Sequence, residues 1–161
     1  MKNKEEKGLV GREFVIVREY AAPRALVFRA WADPAYLSKW WGPRGFTNPV
    51  CDWDARPGRK IHVVMRSPGG DEFPMGGEFH EVVPNERIAF TSGALGADGA
   101  PLFEFLHVVT FEDRGKGTKL TVNSRITSAG PDAGRYIGGF EAGMTQSLER
   151  LGELLAPPTS G

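Results

Sequence analysis

Leu102-Phe103-Glu104-Phe105-Leu106-His107-Val108-Val109-Thr110-Phe111-Glu112 is written with a period of two. In an extended chain residues two apart share a face, so Phe103, Phe105, His107, Val109 and Phe111 fall together, and Glu104, Leu106, Val108 and Thr110 fall opposite. The aromatic set is taken as the inward one. Asp113-Arg114-Gly115-Lys116-Gly117 turns the chain, and Lys119 to Ile126 returns as the partner strand, with Leu120, Val122, Ser124 and Ile126 inward. Beyond this hairpin the period changes. Gly130-Pro131-Asp132 opens one long helix in which Ile137, Phe140, Met144, Leu148, Leu151 and Leu155 recur every three or four residues, and Pro157-Pro158 ends it. Gly138, Gly139 and Gly143 weaken its first turns by about 1 kcal/mol each relative to Ala.

Upstream of the hairpin, strand and turn signals alternate at short spacing. Val50 to Ala55, Lys60 to Arg66, Glu72 to Val83 and Arg87 to Ser92 read as strands. Arg56-Pro57-Gly58, Ser67 to Asp71 and Pro84-Asn85-Glu86 read as turns. Pro74 and Gly76-Gly77 imply a bulge or bend, and the Gly/Ala-rich Gly93 to Pro101 reads as a loop. Near the start, Arg12 to Tyr20 is a first strand with Phe14 and Ile16 on one face. Pro23 stops it, Arg24 to Trp31 is helical, and Asp33-Pro34 caps a second short helix ending near Trp40. One strand, two short helices, about six more strands and one long helix make an α+β protein: a curved antiparallel sheet of about seven strands wrapped around the last helix.

The chain has 161 residues, enough for one domain with a core that needs neither disulfide nor metal. Residues 1–10 are expected as a disordered N-terminal segment, 11–156 as a single domain and 157–161 as a tail. Twenty Lys and Arg balance twenty Asp and Glu, which argues against a nucleic-acid partner. A single cysteine, Cys51, and no apolar leader point to a reducing cytoplasm, and no apolar run spans a bilayer. Cys51, His62, His80 and His107 have no metal-ligand spacing, so neither metal nor other cofactor is expected.

Several stretches carry a family resemblance. Pro23-Arg24-Ala25-Leu26-Val27-Phe28-Arg29-Ala30-Trp31 and Leu37-Ser38-Lys39-Trp40-Trp41-Gly42-Pro43 resemble the opening of the START-like (SRPBCC) superfamily, in its activator of heat-shock-protein-90 ATPase homologue branch. Val64-Met65-Arg66, the run from Gly77 to Ile88, Thr118 to Thr121, and Gly143-Met144 to Leu155 fit the same pattern. Arg59 departs from it, where the branch often has a second glycine after Gly58. The resemblance implies a helix-grip fold. Its members range from lipid and hormone carriers to cyclases and co-chaperone domains, so it implies no single function.

The strand faces then nominate a cavity. Ile61, Val63 and Met65 share the inner parity of one strand, and Phe73, Met75 and Phe79 that of the next. Phe103, Phe105, His107 and Val109 follow on the aromatic strand, with Val122 and Ser124 beside them. Phe140 and Met144 come from the helix, and Trp41 is expected at the mouth. His107 is the polar residue set mid-strand on this face, with Ser124 as its expected partner. A curved sheet around one helix leaves space on its concave side, and apolar clefts with few polar groups hold small molecules. The expected function is therefore binding of a small hydrophobic ligand, polyketide- or flavonoid-like, by a monomer or homodimer. The alternatives are a stress-response chaperone partner resembling the heat-shock-protein-90 ATPase activator, or a cyclase- or hydrolase-like enzyme in the same cavity. The eukaryotic activator carries a further N-terminal domain, and the few residues ahead of the first strand here count against that role. Glu149, Arg150 and Glu153 read as the solvated face of the last helix.

Overall fold

Seven strands lie in one antiparallel sheet of order β1-β7-β6-β5-β4-β3-β2. The computed structural model describes residues 8–131 and 133–156. The strands are β1 (Glu13–Tyr20), β2 (Thr47–Asp52), β3 (Lys60–Arg66), β4 (Glu72–Val83), β5 (Arg87–Ala94), β6 (Phe103–Arg114) and β7 (Gly117–Ala129). From β2 to β7 each strand pairs with the next. β1 instead pairs with β7, the last strand. The chain must therefore cross from one edge of the sheet to the other between β1 and β2. Helices α1 (Arg24–Ala32) and α2 (Pro34–Trp40) make that crossing. The sheet is capped by α3 (Ala133–Ile137) and α4 (Phe140–Leu155). The helix-grip arrangement is thus present, and among the described residues no helix is long and apolar enough to cross a membrane.

Local chemistry accounts for the helix starts. The Asp33 side chain accepts the Ala35 N–H at 2.9 Å, and Pro34 occupies the first helical position, where a missing N–H costs nothing. α1 buries Val27, Ala30 and Trp31, whereas Leu26 is exposed. The edge strand β2 covers Thr47–Asp52 rather than Val50 to Ala55. Pro49 is tolerated there because an edge strand has one side without ladder bonds, and the register shifts between Thr47 and Val50. Gly93 to Pro101 is less of a loop than its composition implies. Gly93 and Ala94 extend β5, and a Leu95–Pro101 bridge and a Gly96 N–H to Ala100 carbonyl bond at 2.8 Å close a hairpin.

The single long helix expected at the end is two helices. Gly138 and Gly139 separate α3 from α4, and Gly139 is the N-cap of α4. Two adjacent glycines lose the most backbone entropy in a helix and offer no side chain to pack, so the break falls where continuation is weakest. Asp132 and Pro157-Pro158, read as the helix opening and stop, lie outside the described residues, as do residues 1–7. Leu9 is already buried beside Phe103 and Ile126, and Gly11 N–H bonds the Ile126 carbonyl at 2.8 Å. Packing thus starts ahead of Gly11, where the sequence reading began the domain.

The bend in the sheet has a visible cause. A Cβ at Gly77 would sit 1.9 Å from the Thr91 carbonyl oxygen, and one at Gly93 would sit 1.8 Å from that of Phe103. Only glycine lets neighbouring backbones approach so closely. Beside Gly77 the β4–β5 ladder is interrupted, and Thr91 Oγ1 accepts the Glu78 N–H at 3.1 Å in its place. The bulge implied near Gly76-Gly77 lies slightly later, between Phe79 and Glu81.

The buried side chains form two clusters. The larger holds Trp31, Trp40, Trp41, Trp53, Phe79 and Phe90, with Leu148 and Leu151 of α4. The smaller holds Leu9, Phe103, Phe105, Ile126, Ala133 and Ile137. Phe140 packs against both.

Candidate ligand-binding cavity

A cavity of about 510 Å³ lies where these two clusters meet. β6 contributes Phe103, Phe105 and His107 to its wall, and α4 contributes Phe140 and Met144. Met65 of β3 and Phe73 and Met75 of β4 lie on the opposite side, and Trp41 completes the set. These expected residues come together because strict strand alternation and a three-four helical spacing each point one face inward.

Other expected residues do not reach the space. Ile61, Val63 and Phe79 are sealed in the tryptophan-rich cluster, and so are Val109 and Val122. They face inward but lie farther along their strands, where α1, α2 and the C-terminal half of α4 fill the concavity. Ser124 does not line the cavity either; it stands behind His107 and bonds it. Trp41 is not a lid. It is 6 % exposed and packs between Trp40 and Trp53, at 5.8 and 5.7 Å between ring centres.

Part of the wall was not foreseen. Gly42, Pro43 and Phe46 come from the connection between α2 and β2, Ser92 and Ala94 from the end of β5, and Leu95 from just beyond it. Tyr136 of α3 and Ser147 of α4 add to it. The parity of Ile88 and Phe90 extends to Ser92, and the helical stripe through Phe140 and Met144 extends to Ser147, so both could have been found. Loop residues carry no period and gave no such signal.

The α2–β2 connection is held by α4. Arg150 Nη1 donates to the carbonyls of Trp41, Gly42 and Pro43 at 3.2, 2.9 and 3.0 Å. Its Nη2 donates to those of Lys39 and Phe46 at 3.0 and 3.2 Å. The carbonyls at the end of α2 have no acceptor role inside the helix, and a cationic fork satisfies them while favouring the negative end of the dipole. Ser147 Oγ accepts the Gly42 N–H at 2.9 Å, and Gln146 Oε1 accepts that of Arg44 at 3.0 Å. Gly42 itself has φ +100°, a left-handed value suited to glycine. Arg150 is therefore the residue that fixes this wall, not part of a merely solvated face.

The polar group in the wall is a three-residue chain. His107 is 1 % exposed and stacks with Phe105 and Phe140, at 5.5 and 5.8 Å between ring centres. Its Nδ1 lies 2.7 Å from Ser124 Oγ, and its Nε2 lies 2.6 Å from Ser92 Oγ. Burial without a carboxylate partner pushes the His107 pKa down to about 3, so the ring is neutral at ordinary pH. A neutral imidazole has one donor and one acceptor nitrogen, and the two serines match that pair. Ser147, the other serine in the wall, is committed: it accepts from Gly42 N–H and donates to the Gly143 carbonyl at 3.0 Å. The arrangement can bury an apolar molecule and offer it few hydrogen-bonding points.

Residues 21–156 match the family model described as Activator of Hsp90 ATPase homolog 1-like protein. The crystal structure of a Chromobacterium violaceum protein is similar at 30% identity and a TM-score of 0.75, covering 91% of this chain and 98% of that one. That of the AHSA1 protein from Silicibacter pomeroyi is similar at 28% identity and TM-score 0.78, covering 89% and 97%. A Mycobacterium smegmatis protein is similar at 27% identity and TM-score 0.77, covering 91% of both chains. No curated protein matches the chain.

Proposed function

Because the chain belongs to the activator of Hsp90 ATPase homolog 1-like family, whose resemblance to ligand-carrying folds was already legible, we propose that it binds a small, flat, hydrophobic molecule in the cavity between β6 and α4. The observation that carries the reading is the wall itself: about 510 Å³ bounded mainly by aromatic and methionine side chains, with few hydroxyls and one imidazole among them and the Glu72 carboxylate at the rim. A space of that size is within the range of small-molecule sites, and its apolar wall gains free energy by covering an apolar guest. Polyketide- and flavonoid-like molecules have the corresponding shape.

The neutral fluorophore N-phenyl-1-naphthylamine tests this. Its emission should rise with saturable one-site binding. Gly143 lies in the wall, and a Cβ there would meet only Pro43 Cγ, at 3.8 Å, so Gly143→Leu can be built into the space. That variant, if its circular dichroism is unchanged, should bind the fluorophore at least about tenfold more weakly, equivalent to roughly 1.4 kcal/mol. Undiminished binding would remove the cavity as the site. The alternative role, as a chaperone partner, draws its support from the family description. Stimulation of a heat-shock-protein-90 ATPase by this chain, undisturbed by Gly143→Leu, would favour it over ligand binding.

A further inference from the structure

The three-residue chain has a direction. Among the described residues, Ser124 Oγ has His107 Nδ1 as its hydrogen-bond partner and no other, and Ser92 Oγ likewise has only His107 Nε2. Two proton arrangements are available. If Nδ1 carries the ring proton, it donates to Ser124, and the Ser124 hydroxyl hydrogen, in a residue 1 % exposed, is left without an acceptor. If Nε2 carries it, Ser124 donates to Nδ1, Nε2 donates to Ser92, and the hydroxyl proton left over belongs to Ser92, which borders the cavity, rather than to Ser124, which is enclosed by protein. A buried donor left unpaired costs its full desolvation, so the second arrangement is favoured. The one remaining proton is then that of Ser92, which lies in the cavity wall.

Resting on the ligand-binding reading above, we infer that the Ser124–His107–Ser92 chain is polarised from Ser124 outward, so that Ser92 faces the cavity as a hydrogen-bond donor and the ligand is a flat aromatic molecule carrying a carbonyl oxygen. Ser92 is the contacting residue, and His107 and Ser124 are positioning residues. The ligand's ring lies against Phe105 and Phe140, already stacked at 4.2 Å, and its oxygen accepts from Ser92. The same polarity disarms the pair as a hydrolase: Nε2 already holds a proton and cannot take one from Ser92, as a general base must.

Two measurements on the full chain test this. Long-range proton–nitrogen NMR correlations of the imidazole identify which nitrogen is protonated; Nε2–H is expected, and Ser124→Ala should shift the population toward Nδ1–H while Ser124→Thr retains it. In parallel, 2-acetylnaphthalene is compared with 2-isopropenylnaphthalene, which has the same shape with CH₂ in place of oxygen. The ketone should bind about tenfold more tightly, and Ser92→Ala should erase the difference between the two. An Nδ1–H tautomer, or equal affinity of the two naphthalenes, overturns the donor assignment and leaves ligand binding standing. Binding of neither naphthalene overturns both the ligand class and the reading beneath it.

Discussion

His107 folds as a neutral ring, and that makes stability depend on pH. Its folded pKa of about 3 lies below the ordinary value of 6.5, so the unfolded chain binds the extra proton between those values. The stabilisation is fully present above pH 6.5 and is lost as pH falls toward 3, by up to about 1.4 kcal/mol per pH unit. Comparing urea unfolding of the protein and of His107→Phe between pH 7 and 4.5 isolates the effect from that of the carboxylates. The wild type should lose more stability over this range, and parallel curves would mean that the ring charges in place. Parity found His107 and Ser124 in the sequence, because their strands alternate without interruption. Arg150 was read as solvated because a charge at the edge of a helical stripe is usually so, and nothing local announces five carbonyls arriving from residues more than a hundred positions earlier. Arg150→Lys replaces a planar fork by a single ammonium, which cannot reach all of them. It should lower unfolding stability by about 1–3 kcal/mol. It should also weaken N-phenyl-1-naphthylamine binding, since Trp41, Pro43 and Phe46 would lose their anchor. A variant matching wild type in both assays would show that the loop is held by Ser147 and Gln146 alone.

α4 is the element on which both clusters and the cavity depend. Leu148 and Leu151 are fully buried on its inner face, and Tyr20 Oη donates to the Leu148 carbonyl at 2.8 Å, tying β1 to the helix. Leu148→Ala should cost about 2–5 kcal/mol in denaturant unfolding, the loss of transfer free energy plus the void left behind. An unchanged midpoint would mean that the sheet folds without this packing. The helix was legible because six apolar residues recur at helical spacing. Its break was not, because the apolar stripe runs on from Ile137 to Phe140 across the glycines, and periodicity alone does not register a local change of direction. β2 was displaced for a related reason. Pro49 reads as a stop in a central strand, and the sequence does not say which strand lies at an edge.

At the scale of the whole molecule, the sheet bends where backbones close on Gly77 and Gly93, and one helix cannot fill the hollow that results. Tryptophans from α1, α2 and the β2–β3 connection pack one part of it, and Leu9, Ile126 and Ile137 pack another. The cavity is the remainder between them. Sequence periods specify which side of each strand faces the hollow, and for that reason the architecture was readable. They do not specify how far along a strand the packing ends, so Val109 and Val122 could not be told from Phe105 and His107 without the helices in place. The surface ion pairs, such as Arg66 with Glu72 at the cavity rim, add little to this balance because both partners are half exposed. What distinguishes a ligand-binding protein from one with a loosely filled core is whether the space accepts a guest. Three methionines, Met65, Met75 and Met144, line it from three different elements. With their methyl groups labelled with carbon-13, titration with 2-acetylnaphthalene should shift all three signals along one saturation curve with a single Kd. Signals that stay in place, or that drift without saturating, would contradict the claim that the cavity between β6 and α4 is a binding site.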